Sequence, residues 1–411
     1  MRRRKFLTGS GSAIVLRAAG AHAGDSGTGR LSVDPADRTA TLFLCGDVMT
    51  GRGIDQILPH PVPPHLFEPY ARSALEYVAL AERRSGPIPR RVDPAYVWGD
   101  ALQELETVRP HCRIANLETA VTTSELPAPG KGIHYRMHPA NIACLAAAGL
   151  DCVALANNHV LDWGSRGLEE TLATLRHAGI RTAGAGRDGT EAAAPATIDL
   201  ARGGRCLIFA FAALDSGVPD AWAANAGPGV NLLRDFSDAT VGHIARSIAI
   251  HQRTDDIVVM SIHWGGNWGY RIGTPERAFA QALIDRAGVD VLYGHSSHHA
   301  KGIEVYRDRL ILYGCGDFLN DYEGIGGHDV YRPDLALMYF PTIATTGALL
   351  GLRMVPTRTQ RFRIHRASRA DAGWLRTMLE REGRELGTSA VVDADGAILL
   401  RWGEARASAT S

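Results

Sequence analysis

The sequence predicts an α/β layer fold. From about residue 40 to 320, short apolar runs rich in Val, Ile and Leu alternate with amphipathic stretches, the pattern of strands and helices in layers. Several of those runs end in Asp, Glu, Asn or His, which places polar groups at the carboxyl ends of strands. Composition agrees: with 411 residues, 45% hydrophobic and 21% charged, the chain can bury a large core and is neither disordered, collagen-like nor a coiled coil.

Strands are expected at residues 41–47, 112–118, 151–157, 206–214, 257–263, 289–295 and 310–313. Helices fill the gaps, most clearly at 167–177, 238–251 and 275–287. The last has Thr274 as its N-cap, Pro275 in its first turn and Gly288 as its stop. Residues 55–96 break the rhythm with eight prolines and read as an insertion with one helix at 71–83, placed to cover a site. After residue 330 the pattern turns strand-like at 335–340, 348–354 and 361–365, followed by a helix near 372–385 and a hairpin reaching Trp402. Three units follow: residues 1–23, a main domain at 40–330, and a C-terminal β-rich extension at 331–411.

The first 23 residues hold Arg2, Arg3, Arg4, Lys5 and Arg17 and no acid. A weakly apolar stretch at 6–16 and Ala21-His22-Ala23 complete the pattern of an export signal. Arg3-Arg4-Lys5-Phe6-Leu7 is similar to a twin-arginine signal, so a mature chain beginning near Gly24 is expected in the periplasm or outside the cell. Lys plus Arg equals Asp plus Glu at 44 each, and without the signal the acids lead by five, so nothing points to a nucleic-acid partner. No later segment offers the ~20 consecutive apolar residues needed to span a bilayer. The six cysteines sit mostly in apolar, strand-like runs and are expected to be mostly free, buried thiols.

The chemistry lies where the strands end. Asp47 and Glu118 each close a strand, Asn158-His159 follow another, His263 closes the next, and His295, His298 and His299 follow the last. In α/β sheets ligands bind at the carboxyl ends of strands, so these residues converge on one site. Carboxylate oxygen and imidazole nitrogen are ligands for Mn, Fe and Zn, which makes the site one for a divalent cation. Taken singly, an Asp after a strand is usually a turn or capping residue, and a His a satisfied polar group. Lys131, Tyr135 and Arg136, with His134 and His138, form a polar cluster in an expected loop, suited to an anionic phosphate or carboxylate. Asp317 is expected either to support the site as an acceptor or to cap a turn.

Gly-Asp-Val-Met-Thr-Gly-Arg (46–52), Ala-Asn-Leu-Glu (115–118), Ala-Asn-Asn-His-Val-Leu-Asp-Trp-Gly (156–164), His-Trp-Gly (263–265), Gly-His-Ser-Ser-His (294–298) and Gly-Asp-Phe (316–318) resemble the capsule-synthesis CapA family. The family is linked to poly-γ-glutamate capsules and is similar in fold to calcineurin-like metallophosphoesterases. The resemblance therefore implies a layered α/β/β/α sandwich carrying one or two divalent ions. It implies Asp47 on the first metal, Glu118 bridging, Asn158, His263 and His295 on the second, and His298 returning to the first. His159 would protonate a leaving group and Asp162 would orient it. Apart from the resemblance, Arg52 joins Lys131 and Arg136 as a local basic group expected to contact an anionic substrate. The sequence departs from the phosphoesterase pattern at Met49, where a ligand His is expected, at the extra residue between His295 and His298, and at Val160 after the Asn-His pair. Occupancy nearer one ion than two follows from Met49. Two functions fit: a metal-dependent hydrolase of phosphoesters or of an amide-linked anionic polymer, and a non-catalytic accessory protein that binds or exports an acidic capsule polymer. Either implies an anionic substrate or polymer as partner and association with membrane capsule-synthesis machinery.

Overall fold

A computed structural model describes residues 39–201 and 203–403, so the expected export signal lies outside the described residues. Two mixed sheets form the body. The first runs edge to edge through Thr388–Val392, Ile398–Trp402, Leu349–Gln360, Leu335–Ala344, Thr39–Val48, Cys112–Leu117, Cys152–Ala154 and Arg181–Ala183. Asp317–Leu319 pairs beside Thr39–Val48, and Arg363–Arg366 beside Leu349–Gln360. The second runs through Leu232–Leu233, Arg205–Ala213, Ile257–His263, Val291–His295, Arg309–Leu312 and Ile303–Tyr306, with Ala196–Asp199 pairing Arg205–Ala213.

Strand periodicity builds the layers. Along Arg205–Ala213, Cys206, Ile208 and Ala210 enter one large core that also takes Cys112, Val153 and Leu44 from the first sheet. The alternate residues Leu207, Phe209 and Phe211 join a second core with Val241, Ile244, Phe279 and Leu283 of the helices Asp238–His251 and Thr274–Ala287. Successive side chains of a strand point to opposite faces, so the sheets face each other and helices cover the outside. Leu168, Leu172 and Leu175 of helix Gly164–His177 pack onto the large core as well. The α/β/β/α layers expected from the sequence are present. All six cysteines are free and buried, as expected, and Cys112 meets Cys206 between the sheets.

The C-terminal strands are continuous with the first sheet: Leu335–Ala344 pairs antiparallel with Thr39–Val48, and Leu349–Gln360 follows it. Past the end of the short helix Arg52–Ile57, the proline-rich insertion contains one α-helix among the described residues, Ala74–Ser85, starting three residues later than expected. It starts at Ser73, which forms a capping box with Glu76. Among the described residues no helix is long and apolar enough to cross a membrane.

Candidate functional site

A backbone irregularity sets the first candidate ligand. Opposite Cys112–Leu117 the register of Thr39–Val48 shifts between Cys45 and Asp47, so Gly46 bulges out and re-aims Asp47. Only glycine fits: a Cβ on Gly46 would lie 1.7 Å from the Gly316 carbonyl oxygen, the same oxygen that accepts from the Asp47 N–H at 3.0 Å. This close crossing places Asp47 in register with Asp317. Asn116 donates to Asp47 Oδ1 at 2.7 Å and the Ser296 N–H to Oδ2 at 3.2 Å. Ser296 holds φ 97°, a conformation costing a non-glycine residue about 1–3 kcal/mol and concentrated at functional sites.

Around Asp47 the strand ends converge as the sequence suggests. Asp47, His263 and His295 form one group of ligand atoms lying within 4.8 Å of one another, and Asp47, Glu118 and Asp317 form another, all of them buried. His263 Nδ1 lies 2.8 Å from His295 Nδ1, and His295 Nδ1 lies 3.6 Å from Asp47 Oδ1. His295 Nε2 meets Ser261 Oγ at 2.7 Å. Three acids so close repel: Asp47 is pushed up to about 7, by burial first and then by Asp317, and Glu118 is raised by burial, Asp47 and Asp317. Burial pushes His263 well down and His295 to about 3, so both imidazoles are neutral, the ligand form.

Two observations show that these residues fit a cation. The buried Oδ1 of Asn158 has no hydrogen-bond partner among the described residues, although buried acceptors are normally satisfied. The donor set of carboxylate oxygen, amide oxygen and neutral imidazole suits Mn, Fe or Zn. Asp317, expected as support, belongs to the ligand group, whereas His298 lies outside both groups. Its Nδ1 pairs with Asp317 Oδ1 at 2.9 Å and its Nε2 meets Asn267 Nδ2 at 3.0 Å. Burial lowers the His298 pKa, but Asp317 more than reverses that and leaves it raised. The carboxylate at Nδ1 that raises it makes His298 a partner of Asp317, and the sequence cannot show this because it depends on the 298–317 pairing.

His159 sits beside the cluster, its Nε2 3.8 Å from Glu118 Oε1. Asp162 Oδ2 lies 2.6 Å from Nδ1, and the same carboxylate accepts from Lys131 Nζ at 2.5 Å and from the Tyr135 N–H at 2.7 Å. Since Asp162 is held below its ordinary range and only accepts, Nδ1 carries the proton and Nε2 the lone pair. Burial drives His159 down to about 4, so it is neutral at neutral pH. The ring of Tyr135 stacks on it at 3.9 Å.

The cluster opens into a cavity of about 950 Å³ lined by Glu118, His159, His263 and His298 on one side and by Tyr70, Tyr77 and Arg84 of the insertion on another, so the insertion does reach the site. Lys131, Tyr135 and Arg52 line it too. Arg136 does not: its guanidinium donates to the Ser124 carbonyl and lies 4.0 Å over Trp163, so the expected substrate contact from Arg136 is corrected to a structural one. Arg52 is buried and committed, with Nε and Nη2 on Asp321 at 3.2 and 2.5 Å and Nη1 on Glu68 at 3.0 Å. Sequence reasoning missed Asn116, Ser261 and Tyr322. Asn116 stood inside the Ala-Asn-Leu-Glu motif as a signal, while Tyr322 follows the last motif in a loop with none.

Comparison with known proteins bears on this centre. The family described as "Bacterial capsule synthesis protein PGA_cap" matches residues 41–322, which include every one of these candidate ligands. The chain belongs to that family. Among relatives of this PGA_cap chain, a probable polyglutamine synthesis accessory protein of Mycobacterium tuberculosis is 46% identical over 358 residues, 86% of this chain and 94% of that protein. The PGA biosynthesis protein CapA of Bacillus subtilis is 27% identical over 309 residues, 75% of this chain and 70% of its own. The capsule biosynthesis protein CapA of Bacillus anthracis is 28% identical over 191 residues, 46% of this chain and 45% of its own. Against the solved structure of GAP50, the anchor in the inner membrane complex of Plasmodium, the TM-score is 0.34 at 7% identity, over 80% of this chain and 89% of that one.

Proposed function

We propose that this PGA_cap chain is an exported accessory protein of capsule polymer synthesis, and that its site hydrolyses a phosphoester or an amide link in an anionic polymer of glutamyl units with one or two divalent cations. The names of the Mycobacterium and Bacillus relatives support the capsule and glutamyl setting. The observation that carries the chemistry is the pair of buried ligand groups sharing Asp47, one with His263 and His295 and one with Glu118 and Asp317, and the orphaned Oδ1 belongs to Asn158, which lines the same cavity as Glu118 and His263. Those six residues would hold the cations. A cation bound there would acidify water and offset charge on a reacting oxygen.

The remaining work falls to the chain itself. Asp162 holds the Nδ1 proton of His159, so Nε2 faces the cavity as an acceptor, able to take a proton from water and then give it to a leaving oxygen or nitrogen. This modifies the role expected from the sequence, since the neutral imidazole must first accept. The Tyr135 ring covers one face of that imidazole and shields it from solvent. A polymer-holding groove is favoured less, because four of the five cations lining the cavity are already paired, Arg84 being the fifth: Arg52 with Asp321 and Glu68, Lys131 with Asp162, Arg332 with Asp334 and Asp371, and Arg358 with Asp334.

The test is His159→Ala on a panel of phosphoesters and γ-glutamyl polymers. Turnover should fall about 10²–10⁴-fold, the usual worth of a positioned acid–base group, with metal content and fold retained. Equal turnover removes His159 from the mechanism, and binding of polymer without consumption by either protein supports the non-catalytic alternative.

A further inference from the structure

Above the ligand groups, Tyr135 and Tyr322 meet hydroxyl to hydroxyl at 2.7 Å. Both rings line the cavity. Tyr135 comes from the loop that carries Lys131, and its ring lies flat on His159. Tyr322 follows the Asp317–Leu319 strand and sets its ring edge-on to His298, centroids 5.4 Å apart. The pair thus spans the site from one functional histidine to the other.

The pair is held from behind. Arg52 lies over the rings of Tyr77, Tyr135 and Tyr322 at 3.7, 4.8 and 5.5 Å. Its bidentate grip on Asp321, reinforced by the Gly53 N–H at 2.8 Å, fixes the residue directly before Tyr322. Arg52, expected from the sequence to touch substrate, is therefore a positioning residue for the pair.

Two phenols carry two protons, and a hydrogen bond between them uses one. Neither hydroxyl has another hydrogen-bond partner among the described residues. One O–H donor is left over, on a pair of rings that line the same cavity as Glu118, His159 and His263. Burial keeps both phenols protonated at neutral pH, so they act as donors. A phenol that receives a hydrogen bond is polarised into a better donor.

We propose that the Tyr135–Tyr322 pair donates this remaining hydrogen bond to an oxyanion oxygen of the bound substrate, phosphoryl or carboxylate. The proposal rests on the cation-site reading above for where the ligand sits. It adds Tyr322 to the substrate-contacting residues and accounts for the Arg52–Asp321 clamp.

The experiment is calorimetric titration at saturating Mn²⁺ with inorganic phosphate in one arm and γ-glutamylglutamate in the other. It compares wild type, Tyr135→Phe, Tyr322→Phe and the double variant, with Mn²⁺ affinity and thermal midpoint measured alongside. In the arm matching the substrate, at least one single variant should bind about 10-fold more weakly or worse, as expected for a lost hydrogen bond to a charged acceptor. The double variant should stay within about threefold of that single, because only one donor is presented, and Mn²⁺ affinity should not move. Phenylalanine keeps both rings, and if one single variant does not fold the other tests the same pair. Binding within twofold of wild type in all folded variants overturns the inference alone. A parallel loss of Mn²⁺ affinity also overturns it, in favour of a structural role. Wild type that binds Mn²⁺ but neither probe overturns the inference, and wild type that binds no Mn²⁺ overturns the cation-site reading with it.

Discussion

Replacing Asp162 tests how the site holds its histidine. The fully buried carboxylate accepts three donors, from His159, Lys131 and Tyr135, at 2.6, 2.5 and 2.7 Å. At 2.5 Å and an effective dielectric of about 20, the Lys131–Asp162 attraction is about 6–7 kcal/mol before desolvation, which offsets most of it. Removing one partner of a buried pair costs about 3–5 kcal/mol. The Lys131 side chain is 15% exposed, so solvent relieves part of this, and about 2–3 kcal/mol is expected for Asp162→Asn. Much of that cost is the ammonium left without a counter-charge, so the Lys131→Met, Asp162→Asn double variant should be more stable than Asp162→Asn alone. The assay is chemical denaturation of the four proteins in a double-mutant cycle, with an expected coupling of about 2 kcal/mol. Burial pushes the Asp162 carboxyl up, and His159 and Lys131 more than reverse that to leave it below its ordinary value of 3.8. A carboxylate depressed in the native state stabilises the fold above the unfolded value and loses that contribution as pH falls below it, so the gap between wild type and Asp162→Asn should close in acid. Coupling below about 0.5 kcal/mol, or a gap that widens in acid, would refute the reasoning.

Two further outcomes follow from the geometry and the sequence. Gly46→Ala places a methyl group against the Gly316 carbonyl, with no flexible side chain to yield, so it should cost more than the about 1–3 kcal/mol typical of overpacking and weaken Mn²⁺ binding through Asp47; unfolding and metal titration measure both, and a wild-type profile would contradict it. The export reading predicts cleavage near Ala23 and delivery beyond the cytoplasmic membrane; N-terminal analysis of the fractionated protein checks it, and an intact N-terminus confined to the cytosol would sink it.

The layers were legible because strand period and helix period differ, and because Asp47, Glu118, His263 and His295 stand at strand ends, where topology alone brings them together. Register and loop contacts were not legible. The ligand position of Asp317 depends on Asp317–Leu319 pairing with Thr39–Val48, a contact 270 positions apart in the chain that apolar patterning does not encode. The pairing that takes up His298 follows from it. Arg52 and Arg136 both look like free cations in the sequence, yet buried partners claim one and a carbonyl and Trp163 the other. Where the expected C-terminal sheet extension attaches was likewise hidden, since local alternation shows that residues 335–344 form a strand and not which strand they join.

The central claim is that the buried acids, imidazoles and Asn158 hold a divalent cation. Equilibrium dialysis against Mn²⁺, Fe²⁺ and Zn²⁺, with elemental analysis of wild type, Asp47→Asn and His263→Ala, addresses it most directly. Wild type should retain at least one ion per chain, and each variant should lose the tighter-bound ion while keeping its secondary structure. Wild-type protein that retains none of the three, or variants that bind them as tightly as wild type, would contradict it.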